Sequence, residues 1–216
     1  HGGALSICDS ADLLLCQRLL PLISHFCNDA EVKMYSVLYT TKLHSEKRDK
    51  GTWATVQREI FEGYSMVEKA VKGKNPNGKL AAIVGDSAGG YLSLCLGLQL
   101  VHLNHAHVPS LALISPWLNC FTGDRYSTLT SQAQYQDDIL HDTFIQSSLT
   151  NYWADVNQLD ESTFELRTQR DLCLPAHSVN PWLSTRESIS KLPSILCLAG
   201  SNEVLIEEIR EFWDKF

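Results

Sequence analysis

Apolar runs alternate with amphipathic stretches along this chain of 216 residues. Helical spacing of the apolar positions predicts helices over 10–29, 52–71, 90–103 and 204–216. Four short β-rich or apolar runs predict strands: VKMYSVLYT (32–40), KLAAIVG (79–85), VPSLALISP (108–116) and LPSILCLAG (192–200). Continuous apolar strands that alternate with helices indicate a mostly parallel sheet with helices on both faces, which is an α/β fold.

One interval breaks this alternation. Residues 117–178 are polar, dotted with aromatic residues and without a strong strand signal, and they are too many for a plain connection. This interval predicts an inserted, mostly helical cap, with its best helix over 137–156. Residues 1–116 and 179–216 then form the core of the fold.

Composition and charge narrow the function classes. Lysine and arginine number 18 against 25 aspartates and glutamates, for a formal net charge of −7, which argues against a nucleic-acid-binding surface. No apolar run approaches the roughly 18 residues of a membrane helix, although membrane association stays open. The seven cysteines include no C-x-x-C pair, and we expect them to be mainly reduced and buried.

The stretch AAIVGDSAGGYLSL carries the clearest chemical signal. It places Ser87 between Gly85 and Gly89, after an apolar strand and before a helix. G-x-S-x-G in this context is the nucleophile elbow, in which a strained turn presents the serine hydroxyl above the sheet edge. The helix dipole and free N–H groups would face a developing oxyanion. The alternative is a glycine-rich turn whose serine only caps the helix.

A second signal lies at the start of the chain, in HGG at 1–3. Two glycines in a loop leave backbone N–H groups free to approach a substrate carbonyl. HGGA followed by GDSAGG resembles the hormone-sensitive-lipase-like group of the α/β-hydrolase fold, whose hallmarks are H-G-G-G and G-D-S-A-G-G. The segments SPWLN, NPWLS and LPSILCLAGSNEVLIEE are similar to further parts of that group, and NEVL is most similar to its eukaryotic members, including steryl acetyl hydrolases.

The resemblance implies roles for named residues. Ser87 would be the nucleophile, and the N–H groups of Ala88, Gly3 and Ala4, with Gly2 as a further donor, would form the oxyanion hole. Alanine replaces the fourth position of H-G-G-G and would favour short acyl groups. Glu203 would be the catalytic acid, although a shift of one residue would place Asn202 there. As an alternative, Glu203 fits a first-turn carboxylate that favours the helix dipole.

The catalytic base is missing from its expected place. The order in α/β-hydrolases is serine, acid, histidine, yet none of the eight histidines follows Glu203. We therefore expect a sequence cut at both ends, with the base beyond Phe216, and a chain that is inactive as it stands. His177, at the return from the cap, is the candidate substitute. HLNHAH (102–107) resembles a metal cluster by eye, but no further ligands are found, and neither a metal nor a cofactor is predicted.

Two function classes follow from the resemblance. The first is a serine esterase, lipase or deacetylase that acts through an acyl-enzyme on a small ester with an apolar acyl or alcohol part. The second is a ligand-binding protein on the same scaffold, as in plant gibberellin receptors, which are similar to this group and lack the base. The endoplasmic reticulum and the cytoplasm both remain open as compartments.

Overall fold

The computed structural model describes residues 17–18, 20–25, 32–39, 53–118, 138, 140 and 181–216. The helices with given bounds are α1 (Trp53–Lys74), α2 (Ala88–His102), α3 (Arg186–Ser190) and α4 (Ile206–Lys215). The strands are β1 (Ala82–Asp86), β2 (Ser110–Ile114) and β3 (Ile195–Leu198), and a 3-10 turn covers Pro181–Leu183. Residues 17–18 and 20–25 are also helical.

The three strands form one parallel sheet in the order β1-β2-β3. Its register aligns Ile83 with Leu111, and Leu111 with Ile195. Three of the predicted strands are thereby confirmed, each shorter than its apolar run because the pairing ends where the chain turns. Parallel pairing brings the carboxyl ends of all three strands to one edge of the sheet, where the loops after each strand meet.

Helix α2 is the centre of the hydrophobic core. Eleven of its fifteen residues are buried, which confirms the largely buried helix that its apolar sequence predicts. Tyr91, Leu94 and Leu98 on this helix are at most 1% exposed and pack with Leu111 and Leu113 of β2. A second cluster joins Leu96 and Leu100 of α2 to Tyr64 of α1. The helix therefore packs against both the sheet and α1.

The predicted strand at 32–40 is not formed over residues 32–39, which adopt no regular secondary structure. Their β-rich composition fits a strand, but a strand also needs a backbone partner. A cavity of about 240 Å³ lies among this segment, α1 and β1, lined by Val37, Tyr39, Ile83 and Val84 among others. The segment therefore approaches β1 without pairing to it, and Val84 stays 42% exposed.

Helix α4 closes the described structure with one face in the core. Ile206, Ile209 and Phe212 are buried, and Phe212 meets the Trp182 ring edge-on at 5.5 Å between centroids.

The exposed side of the sheet includes Leu196 and Leu198 of β3, whose relative exposures are 55% and 51%. Among the described helices, none is long and apolar enough to cross a membrane.

Helix α4 also buries a carboxylate. Glu208 is 1% exposed, and its Oε1 accepts a 2.7 Å hydrogen bond from the Leu118 backbone N–H. The adjacent Glu207 instead forms a 3.0 Å pair with Arg210 at the surface. The two adjacent glutamates therefore have different environments: Glu208 faces the loop after β2, whereas Glu207 pairs with Arg210 at the surface.

We expect Glu208→Ala to lower the free energy of unfolding by about 2–4 kcal/mol, because it leaves a buried N–H without its charged acceptor. Glu207→Ala is the matched control and should cost at most about 0.5 kcal/mol, as surface pairs usually do. Urea denaturation followed by circular dichroism measures both. Equal effects of the two substitutions would contradict a structural role for the buried carboxylate.

Candidate active site

Ser87 occupies the turn between β1 and α2, as its motif predicts. Its backbone has φ 49° and ψ −121°, a region that a non-glycine residue enters at a cost of about 1–3 kcal/mol. Its N–H donates to the Ile114 carbonyl at 2.9 Å, and its carbonyl accepts from the Trp117 N–H at 3.0 Å. The strained conformation is thus fixed from outside the turn, by the carboxyl end of β2 and the loop that follows it.

The capping alternative finds no support at Ser87. Ser87 is the N-cap residue of α2, but its side chain makes no capping hydrogen bond. Its carbonyl instead accepts the N–H groups of Gly90 and Tyr91 in the first turn. The hydroxyl is therefore not used to satisfy the end of the helix.

The glycines around Ser87 allow the backbones to come close. A Cβ on Gly85 would lie 2.2 Å from the Gly89 carbonyl oxygen and 2.3 Å from Ser93 Oγ. Position 85 therefore has room for glycine only. Gly90, which the sequence analysis did not single out, is also constrained, although less tightly, since its Cβ would lie 2.8 Å from Pro116 Cβ.

Ala88 is the first residue of α2. The first N–H groups of an α-helix have no intrahelical acceptor, so the Ala88 N–H lies at the free amino end of α2, next to Ser87. The other predicted donors, Gly2, Gly3 and Ala4, lie outside the described residues.

Glu203 lies in the turn after β3, at the same sheet edge as Ser87. Its Oε1 accepts two hydrogen bonds, from Ser115 Oγ at 2.7 Å and from the Gly200 N–H at 2.8 Å. Its Oε2 is buried and has no hydrogen-bond partner among the described residues. One carboxylate oxygen is therefore held by two donors, and the other is a buried acceptor still available for a donor.

The neighbouring Asn202 is placed differently. It is exposed, and its Oδ1 accepts from the adjacent Ser201 hydroxyl at 3.3 Å. Of the two residues that the sequence left as candidates for the acid, Glu203 is the one whose side chain reaches the carboxyl end of β2.

A residue from the interval 117–178 also contacts this turn. Asp138 Oδ2 accepts the Val204 N–H at 2.7 Å, and its Oδ1 accepts the Leu140 N–H at 2.8 Å. Trp117 and Leu118, at the start of the interval, are buried in the core. The rest of the predicted cap lies outside the described residues, so the cap and its boundaries stay a prediction.

The two described cysteines, Cys197 and Cys95, have thiols whose reactivity is set by their surroundings. Burial, and to a smaller extent the charge of Glu203, raises the pKa of the Cys197 thiol, so Cys197 is not a thiolate nucleophile at neutral pH. Burial likewise raises the pKa of the Cys95 thiol in α2. Both of these cysteines are free, as the sequence predicts.

The histidines of HLNHAH lie far from Ser87. His102 ends the fifteen-residue α2, which begins beside Ser87, so the two are about 20 Å apart along the helix. His105 Nε2 lies 3.3 Å from a Glu68 carboxylate oxygen, and His107 Nε2 lies 2.8 Å from the Leu80 carbonyl. In the part of the chain that the structure describes, no three potential ligands group as a metal site. His177, the candidate substitute base, lies outside that part.

Comparison with known proteins identifies the family. A family model of the α/β-hydrolase fold matches residues 1–216. The chain therefore belongs to this α/β-hydrolase family, and the resemblance predicted from HGGA and GDSAGG is confirmed. No curated protein sequence matches the chain.

Solved structures agree on the fold. An esterase of the bacterial hormone-sensitive lipase family is similar with a TM-score of 0.52 and 19% identity, over 76% of this chain and 46% of the esterase. Carboxyl esterase 2 of the mycorrhizal fungus Tuber melanosporum is similar with a TM-score of 0.54 and 15% identity, over 76% of this chain and 47% of that esterase. A hormone-sensitive lipase from a metagenome library has a TM-score of 0.52 and 17% identity, over 76% of this chain and 48% of the lipase. The chain thus spans about half the length of these structures.

We expect Gly85→Ala to destabilise the protein by about 3 kcal/mol or more, because its Cβ meets a backbone carbonyl that cannot move without shifting α2. The control is Gly73→Ala near the end of α1, where nothing lies within 4 Å of the added Cβ. That change should be neutral or stabilise by up to about 1 kcal/mol. Thermal unfolding of both variants checks the pair, and a neutral Gly85→Ala would contradict the close approach.

Proposed function

We propose that this chain carries the nucleophile and the acid of a serine carboxylic-ester hydrolase. The observation that supports this most directly is the hydroxyl of Ser87, held on a strained corner between β1 and α2 without a capping role. Backbone strain that the surroundings maintain is characteristic of catalytic sites. The family membership and the esterase structures of the same fold are consistent with this assignment.

The proposed reaction proceeds through an acyl-enzyme. Ser87 Oγ attacks the ester carbonyl carbon while a histidine takes its proton. The resulting oxyanion is held by the Ala88 N–H together with the N–H groups of Gly3 and Ala4, with Gly2 as a further donor. Collapse of the tetrahedral intermediate releases the alcohol, which takes the proton from the histidine. Water activated by the same histidine then hydrolyses the acyl-serine, so no cofactor is needed.

The proposed role of Glu203 is to hold that histidine. In a serine–histidine–carboxylate triad, the carboxylate accepts the second imidazole N–H and stabilises the imidazolium. Glu203 Oε2 is a buried acceptor without a partner among the described residues, which suits this role. His102, His105 and His107 are unsuited as the base by their position or their partners, so the proposed base is another histidine, with His177 as the candidate within this sequence.

The proposed substrate is a small ester with an apolar acyl or alcohol part. Ala4 in place of the third glycine of H-G-G-G would reduce the space beside the acyl group and favour short acyl chains. We further propose that the interval 117–178 forms the cap that shapes the alcohol side. The core residues Trp117 and Leu118 and the contact of Asp138 with Val204 attach that interval to the site.

We expect Ser87→Ala in the full-length protein to reduce the turnover of p-nitrophenyl acetate by roughly 10⁶-fold, as loss of a triad nucleophile does. Labelling by a fluorophosphonate probe should be lost in parallel, and Ser65→Ala, at an exposed serine of α1, serves as the control. Unchanged hydrolysis in Ser87→Ala would exclude Ser87 as the nucleophile. A wild-type protein that binds esters but neither labels nor hydrolyses them would favour the ligand-binding alternative.

A second substitution pair tests the acid. We expect Glu203→Gln to lower kcat by roughly 10²–10⁴-fold, because the nucleophile and the oxyanion hole remain while the carboxylate charge is lost. Asn202→Ala should leave kcat within about threefold, since that side chain is exposed. Steady-state kinetics on both variants decide the assignment, and the reverse result would move the acid to another residue.

A further inference from the structure

We infer that Ser115 is a positioning residue that sets the orientation of the Glu203 carboxylate, an inference that rests on Glu203 acting as the acid of the proposed function. Ser115 follows β2 directly and lies 88 residues before Glu203 in the chain. It does not touch the reacting atoms in this assignment, and its effect is transmitted through the carboxylate.

The hydrogen bonds at the carboxylate carry the first part of the argument. Ser115 Oγ and the Gly200 N–H both donate to Oε1, at 2.7 and 2.8 Å. Two donors on one oxygen fix the carboxylate plane as well as its position, and leave Oε2 as the acceptor for a third donor. With the Gly200 N–H alone, the carboxylate could rotate about that single contact and present Oε2 in several directions.

The backbone of Ser115 carries the second, independent part. Ser115 has φ 43°, in the left-handed region that costs a residue with a Cβ about 1–2 kcal/mol. Glycine would adopt this conformation without that cost, yet glycine has no hydroxyl. The Ser115 N–H donates to the Leu198 carbonyl at 2.7 Å, so the strained residue is anchored to the end of β3, from which the acid turn begins.

The following residues connect this contact to the nucleophile. Pro116 packs against Gly90, and the Trp117 N–H donates to the Ser87 carbonyl at 3.0 Å. The segment 115–117 therefore touches the acid with its first residue and the nucleophile turn with the next two. A hydroxyl at position 115 aligns the acid relative to the same segment that supports Ser87.

The test is a double-mutant cycle in the full-length protein, with p-nitrophenyl acetate as the substrate. Ser115→Ala should lower kcat by about 10–100-fold, the worth of a hydrogen bond to a charged group, with KM within about twofold. Ser115→Gly should lose the same activity but unfold at a higher temperature than Ser115→Ala, because both variants lack the hydroxyl and only glycine relieves the backbone strain. Ser65→Ala, which removes an exposed hydroxyl bonded within α1, should change neither quantity.

The same substitutions are then made in the Glu203→Gln background. There Ser115→Ala should cost less than about threefold in kcat, because a residue that acts through the carboxylate has little left to act on. An undiminished cost in that background would overturn the inference, as would full activity of Ser115→Gly, which would assign position 115 a backbone role only. Failure of the proposed function is distinguishable: it appears as an active Ser87→Ala or an inconsequential Glu203→Gln, and either outcome removes the inference as well.

Discussion

The close approach of β1 to the first turn of α2 is the constraint on which the site depends. The 2.2 Å that would separate a Cβ on Gly85 from the Gly89 carbonyl leaves room for hydrogen alone. This contact forces the sharp turn, and the sharp turn places Ser87 at positive φ. The surrounding hydrogen bonds to Ile114 and Trp117 maintain that conformation against its intrinsic cost. A buried, well-packed α2 is the reason that the turn cannot relax by moving the helix.

The loop after β2 is the second organising feature, because it joins elements that are distant in sequence. Ser115 reaches Glu203, Trp117 reaches Ser87, and Leu118 reaches the buried Glu208. Three residues of the segment 115–118 thus pair with polar groups of the turn after β3, the N-cap of α2 and helix α4 at one edge of the sheet. Each of these polar contacts is paired within a mostly apolar region, where an unpaired partner would be costly.

The turn after β3, which carries Glu203, is stabilised from two sides. Ser115 and Gly200 hold the Glu203 carboxylate, and Asp138 holds the backbone of the next residue, Val204. Asp138 comes from the interval between the two parts of the core. This contact connects residue 138 of the proposed cap directly to the turn that carries Glu203.

The sequence by itself determined the fold class, three of the strands and the strand–turn–helix around Ser87, because those features depend on local periodicity and on glycine spacing. Its resemblance to a known family also limited the candidates for the catalytic acid to Glu203 and Asn202. The strand predicted at 32–40 was wrong over 32–39, because propensity cannot supply a pairing partner. Only the tertiary structure decided that Glu203 rather than Asn202 faces Ser115, that Gly90 is needed against Pro116, and that Glu208 is buried while Glu207 is at the surface. The physical reason is the same in each case: these contacts join residues separated by tens of positions, and their geometry is set by how the strands and helices pack rather than by any local pattern.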